Sequence, residues 1–213
     1  MRIIVTGSER GIGKAITKEL EARNHSCYGF SRSNGIDVAD YKCVVGAFEE
    51  LSRNPSEGSS PEILINNAGT VEMGTVLELS PEGWKKQIEV NLNGVFYCCK
   101  EFIKMRKNLG GKIINIASTS GMGPRPGRSA YAASKAGVIS LSLSLAEELR
   151  PYGIKVYCIA PGACDTDLRH KINPDDDFDN MMKPYELANF VADIVEDGYM
   201  LDSQVIMARR SML

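Results

Sequence analysis

Histidine is almost missing from this chain of 213 residues, which has only His25 and His170. The six cysteines, Cys27, Cys43, Cys98, Cys99, Cys158 and Cys164, include no Cys-x-x-Cys pair, so the usual ligand sets for zinc are lacking and no metal is expected. Four of these cysteines fall in apolar strand or helix patterns, which reads as reduced core thiols of a cytoplasmic protein rather than a disulfide framework. An excess of positive charge is also absent. With 25 Lys and Arg against 27 Asp and Glu, the net charge of −2 offers no basic face for nucleic acid or for an anionic membrane. No apolar run reaches the ~20 residues of a bilayer span, and nothing like a signal peptide precedes the apolar run that begins at residue 2. Repeats and low-complexity blocks are lacking too. These absences leave a soluble protein that works on a small molecule.

The 43% of hydrophobic residues suffices for one sizeable core, and residues 1–213 are expected to form a single domain. Apolar patterning predicts strands at 2–6, 26–30, 36–38, 62–66, 112–118, 154–160 and 204–208, and helices at 11–24, 40–53, 81–108, 130–150 and 184–197. Such alternation implies a Rossmann-like α/β fold: a doubly wound parallel sheet in three α/β/α layers, because parallel strands need right-handed helical crossovers. The polar run at 53–61 reads as a surface loop, and Asn173-Pro174-Asp175-Asp176-Asp177 as a solvated turn.

Chemistry is concentrated at Tyr131 and Lys135, which helical spacing places on one face. A phenol is too weak an acid for work near neutral pH, and a neighbouring ammonium is expected to lower its pKa. Ser118 follows the strand-like Ile113 to Ala117, at the carboxyl end where open parallel sheets form their sites. At the start of the chain, Arg-Ile-Ile-Val leads into Thr6-Gly7-Ser8-Glu9-Arg10-Gly11-Ile12-Gly13 and then a helix. That turn permits close approach of a pyrophosphate to backbone N–H groups. Its spacing is G-x-x-x-G-x-G rather than the commoner G-x-G-x-x-G. Further along come Asn66-Asn67-Ala68-Gly69 after an apolar strand, Asn91 in Val90-Asn91-Leu92, and Pro161-Gly162 after Lys155 to Ala160.

Together, from residue 1 to about Thr166, these ordered motifs resemble the short-chain dehydrogenase/reductase family. The resemblance implies hydride transfer between a nicotinamide and a carbonyl or secondary alcohol, with Tyr131 as general acid/base. Ser118 would bind the substrate oxygen, Lys135 would hold the nicotinamide ribose, and Asn91 would anchor a water in the proton relay. It further implies cofactor contacts from Gly7, Ser8, Gly11, Ile12 and Gly13; from Asn67, Ala68 and Gly69; and from Tyr131 and Lys135. Asp37 and Val38 would lie at the adenine, and Pro161, Gly162 and Thr166 at the nicotinamide. Where NAD-preferring folds place a carboxylate after the second strand, this chain has Ser31-Arg32-Ser33. Arg32, with Arg10 in the glycine turn, therefore favours NADP(H), with NAD(H) as the alternative.

The chain departs from the family pattern at Cys164, at Met207-Ala208-Arg209-Arg210, and in a reduced region after Thr166, which leaves the substrate open. Members similar to 3-oxoacyl-carrier-protein reductases or to small ketone and pteridine reductases fit, and a catalytically silent NADP(H)-binding regulator is the alternative. A homodimer or homotetramer is implied through helices 81–108 and 130–150.

Overall fold

Runs such as Ile3-Ile4-Val5, Ile63-Leu64-Ile65 and Ile113-Ile114 suit strands buried on both faces. Each forms one in the computed structural model, which describes residues 1–53, 60–197 and 205–209. Strands β1 (Arg2–Thr6), β2 (Ser26–Phe30), β3 (Ile63–Asn66), β4 (Gly111–Ile116), β5 (Ile154–Pro161) and β6 (Val205–Ala208) make one parallel sheet in the order β2-β1-β3-β4-β5-β6. The helices are α1 (Gly11–Ala22), α2 (Tyr41–Arg53), α3 (Pro81–Ile88), α4 (Gly94–Arg106), α5 (Ser129–Glu148), α6 (Asp167–Ile172) and α7 (Pro184–Asp197).

The two-residue repeat of a strand divides the core. Ile4, Leu64, Ile113, Val156 and Cys158 pack with residues of α2, α4 and α5 on one face. Ile3, Val5, Ile65, Ile114, Tyr157 and Ile159 pack with α1 and α7 on the other. This is the single-domain, three-layer Rossmann-type arrangement that the alternation predicts. Four cysteines, Cys98, Cys99, Cys158 and Cys164, are buried; Cys27 and Cys43 are partly buried; all six are free thiols. Burial pushes the Cys27, Cys99 and Cys164 thiols up to about 12.

A buried polar chain fixes α5 against the sheet. Asn66 Nδ2 donates to Asn115 Oδ1 at 2.9 Å, Asn115 Nδ2 to Ser142 Oγ at 2.9 Å, and Ser142 Oγ to Val138 O at 2.7 Å. Satisfied bonds of this kind specify one seating of a helix, since slippage would strand buried donors.

Two predicted elements change. Residues 36–38 are not a strand, because only 31–35 separate them from β2, too few for the crossover a parallel neighbour requires. They follow a 3₁₀ turn at Arg32–Asn34 and a left-handed Gly35, and β2 is the sheet edge. The long helix at 81–108 is interrupted by a π-turn at Glu89–Asn93, with α3 before it and α4 after. Smaller differences affect ends only: β4 stops at Ile116, and β6 is described from Val205. Within the predicted loop at 53–61, residues 54–59 lie outside the described residues, as do Gln204 and Arg210.

Candidate active site

Strand order reverses between β1 and β3, and the crevice beyond their carboxyl ends is the expected ligand position of such a sheet. A cavity of about 410 Å³ lies there. Its wall includes Gly7, Arg10, Gly11 and Ile12 after β1; Ser31, Arg32, Asp37 and Val38 after β2; and Asn67, Ala68 and Gly69 after β3. Ser118, Tyr131 and Lys135 line it too, as do Pro161, Gly162 and Thr166. Three residues named from the sequence do not. Ser8 is buried against Gly29, Gly13 packs on the carbonyl of Gly7, and Asn91 is fully buried behind the wall.

The turn after β1 is held by its neighbours. Asn67 and Ala68 both donate their N–H to Thr6 Oγ1 at 2.9 Å, while Asn67 Nδ2 reaches Thr6 O at 3.0 Å and Gly7 O at 3.2 Å. Gly7 has a φ of +67°, and a Cβ there would lie 2.9 Å from Ala68 Cα. At Gly13 a Cβ would meet Gly7 O at 2.1 Å. Arg10, the N-cap of α1, makes no capping bond through its side chain, so among the described residues no N-cap side chain takes up the first N–H groups of that helix. The donor-rich cradle therefore fits a pyrophosphate in both space and charge.

Tyr131 and Lys135 project from α5, whose position the Asn115–Ser142 bond sets. Lys135 is 4% exposed, and its Nζ donates to Ile116 O at 2.7 Å. Burial pulls its pKa from 10.5 down to about 8. Tyr131 is more open, with part of its surface on the cavity. Burial still raises its pKa, against a hydrogen bond with Ser118 and the positive charges of Arg128 and Arg169. The expected lowering of the phenol pKa by Lys135 is thus corrected. Nζ lies 5.9 Å from the ring centroid, bonded to a carbonyl, and desolvation disfavours its charge.

The family model described as short chain dehydrogenase matches residues 35–177. The chain belongs to the short-chain dehydrogenase/reductase family. It is 34% identical over 190 residues to the 3-oxoacyl-[acyl-carrier-protein] reductase of Synechocystis sp., covering 80% of this chain and 76% of that one. The FabG enzyme of the same description from Escherichia coli is 34% identical over 190 residues, covering 81% and 77%. Among solved structures, the ligand-free aldohexose dehydrogenase of Thermoplasma acidophilum matches with a TM-score of 0.87 at 25% identity, covering 97% of this chain and 91% of the other. A 4-hydroxyisoleucine dehydrogenase complexed with NADH matches with a TM-score of 0.85 at 29% identity, covering 97% and 96%. Membership makes this chain an oxidoreductase that binds a nicotinamide dinucleotide and acts on carbonyl or CH–OH groups.

Asn91 was named from the sequence, but the π-turn that carries it and its bonds to Thr70 and Ser134 were not foreseen. Asn91 lies in the π-turn, accepts from Thr70 N at 2.8 Å, and donates to Thr70 O at 2.8 Å and Ser134 Oγ at 3.1 Å. Ser134 Oγ in turn donates to Tyr131 O at 2.7 Å. Both N–H groups of Asn91 are therefore committed to protein, and its side chain joins the loop after β3 to the tyrosine helix. The π-turn reseats the helix at a functional site, as such bulges often do. Glu9 is the other omission. Its carboxylate lines the cavity and accepts from Ser31 Oγ at 3.4 Å, so the end of β2 is not free of acid as the sequence reading supposed. Among the described residues no helix is long and apolar enough to cross a membrane.

Proposed function

We propose that this chain is an NADP(H)-dependent carbonyl reductase, with alcohol oxidation as its reverse, and that Tyr131 is the general acid/base. The observation that supports it is the grouping of Ser118, Tyr131 and Lys135 on the wall of one cavity that also holds the glycine turn and Arg32. When bound, the reduced nicotinamide supplies the hydride. Tyr131 begins protonated, as its raised pKa favours, and gives its proton to the carbonyl oxygen as negative charge develops there. Ser118 Oγ accepts from Ser120 N, and its own O–H, bonded to the Tyr131 phenol in this structure, would turn to donate to the same oxygen when substrate binds. Lys135, a buried ammonium, holds the ribose hydroxyls.

Cofactor contacts follow the cavity wall. Gly7, Gly11 and Ile12 take the pyrophosphate with Gly13 packed behind them. Asp37 and Val38 take the adenine, and Pro161, Gly162 and Thr166 the nicotinamide. Arg32, helped by Arg10, takes a 2′-phosphate, and Glu9 works against it. The substrate is a 3-oxoacyl thioester, in line with the reductases this chain is similar to, or a small ketone.

A screen of NADPH oxidation against β-ketoacyl thioesters, diketones, quinones and sugars tests the reading. Turnover should fall by ~10²–10⁴ in Tyr131→Phe, while NADPH binding persists. A variant that kept more than about a tenth of wild-type turnover would remove Tyr131 from the role. Tight NADPH binding with no oxidation by any carbonyl would favour the regulatory alternative.

A further inference from the structure

Tyr131 stands third in α5, in a first turn without a side-chain cap, because the N-cap Arg128 makes no capping bond. Helices fray from their ends, so the side chain that most needs steady placement for proton transfer occupies a part of α5 that the helix alone holds weakly. What holds it comes from beyond that turn. Ser134 Oγ donates to Tyr131 O at 2.7 Å and accepts from Asn91 Nδ2 at 3.1 Å. The other Nδ2 proton of Asn91 goes to Thr70 O at 2.8 Å, and its Oδ1 accepts from Thr70 N at 2.8 Å. Thr70 lines the cavity directly after Asn67, Ala68 and Gly69. These bonds run without a break from the cavity wall to the main chain of the tyrosine.

Serine hydroxyls often bond back to the preceding turn of their own helix, as Ser142 does to Val138 O and Ser144 to Ser140 O. Ser134 differs in what it joins. Asn91 and Ser134 are both 0% exposed, and every N–H and O–H proton of the two side chains is committed, so neither can turn to another partner without stranding a buried group. Packing around them is equally close. A Cβ on Gly69 would lie 3.5 Å from Asn91 Oδ1 and 3.9 Å from Lys135 Nζ, and one on Gly137 would lie 2.8 Å from Leu92 Cδ2. The cofactor wall, the π-turn and α5 thus meet around this pair with no slack. We infer that Ser134 is a positioning residue for proton transfer: it pins the carbonyl of Tyr131, through Asn91, to Thr70 and so fixes the phenol relative to the cofactor wall. This rests on the carbonyl-reductase reading and deepens it. Ser134 itself does not line the cavity, so it acts through Tyr131 and touches neither substrate nor cofactor.

Ser134→Ala removes the hydroxyl and leaves one N–H of Asn91 without an acceptor. With a carbonyl substrate from the NADPH screen, kcat should fall about 10- to 100-fold, as it does when a reacting group is slightly misplaced, while KM and NADPH affinity stay within about threefold. Ser134→Cys keeps the shape but weakens both bonds. It should lose less in the same pattern, and it carries the test should the alanine variant not fold. A double-mutant cycle asks whether the loss passes through the phenol. In Tyr131→Phe, where the proton donor is already gone, adding Ser134→Ala should lower the residual rate by less than about twofold. A loss of the same size with and without the phenol would overturn the inference. So would a folded Ser134→Ala with unchanged kcat, or a loss that fell on NADPH affinity instead.

A second readout needs no turnover. Protein isotope-labelled at tyrosine Cζ gives a Tyr131 resonance, identified by its absence in Tyr131→Phe, that follows the phenol through its titration. The hydrogen bond with Ser118 opposes the rise that burial imposes on this phenol, so a Tyr131 released from its place should titrate higher in Ser134→Ala than in the wild type. An unchanged titration would overturn the inference even if no carbonyl reacted. Failure of every carbonyl to turn over would count against the reductase reading, and the resonance would still decide the placement of Tyr131.

Discussion

Arg32 and Lys135 show how differently exposure makes single residues behave. Arg32 is exposed on the cavity wall, so water screens it, and its contribution to a 2′-phosphate is modest. Arg32→Asp should weaken NADPH by roughly 10- to 100-fold, hold or improve NADH, and so invert the preference in a titration with both cofactors. Equal losses for both would mean that Arg32 serves the turn at 32–34 instead. Lys135 is buried, and its charge costs stability. Its pKa falls from 10.5 unfolded to about 8 folded, so between those values the unfolded chain holds a proton that the native protein has released. Stability attributable to this residue therefore rises with pH across that window, and the full penalty of ~3 kcal/mol is present below about pH 8. Lys135→Met should lose turnover and cofactor affinity, yet melt higher than the wild type near pH 7, less the lost bond to Ile116 O. That advantage should shrink by about pH 10. A difference in melting that did not change with pH would refute the titration assigned to Lys135.

At the scale of elements, two glycines make opposite expectations. Gly13 lies where α1 meets the turn after β1, and the Cβ of alanine would sit 2.1 Å from Gly7 O and 2.4 Å from Asn67 Nδ2. Gly13→Ala should cost about 1–3 kcal/mol in denaturant unfolding and weaken NADPH binding, because the turn must open to admit the methyl group. Gly46, exposed within α2, has nothing within 4 Å of its would-be Cβ. Gly46→Ala should stabilise by about 0.5–1 kcal/mol through helix propensity alone and leave cofactor affinity unchanged. The glycine turn was legible because its function lies in consecutive residues. The π-turn at Glu89–Asn93 was not: its apolar pattern runs on like an ordinary helix, and its marker, Asn91 bonded to Thr70 and Ser134, joins residues far apart in the chain.

For the whole molecule, assembly is the open property. Of the apolar residues on α5 and at its C-cap, Val138, Leu145 and Leu149 are consumed by the core, and Ile139 and Leu141 pack against it. Leu143 remains 45% exposed, with Phe96 at 45% on α4 and Trp84 at 44% on α3. A two-fold pairing that covers these side chains is expected, giving a dimer or tetramer by light scattering at micromolar concentration. The pair Phe96→Glu/Leu143→Glu should shift that mass to the monomer. A monomeric wild type would refute the pairing.

What the sequence by itself determined is whatever depends on spacing along the chain. Alternating apolar runs yielded six described strands and their covering helices, and the four-residue step from Tyr131 to Lys135 put both side chains on the cavity wall. The ordered glycine, asparagine and proline-glycine motifs pointed to a family that the comparisons bear out. Tertiary structure decided everything set by contacts between distant segments. It excluded a strand at 36–38 and drew Asn91 into holding the tyrosine helix. It also carried Glu9 to the end of β2 and set Ser134 between Asn91 and the Tyr131 carbonyl. The physical reason is common to all four. Burial and charge fix what a side chain can do, and both are summed over neighbours in space, which the order of residues does not specify.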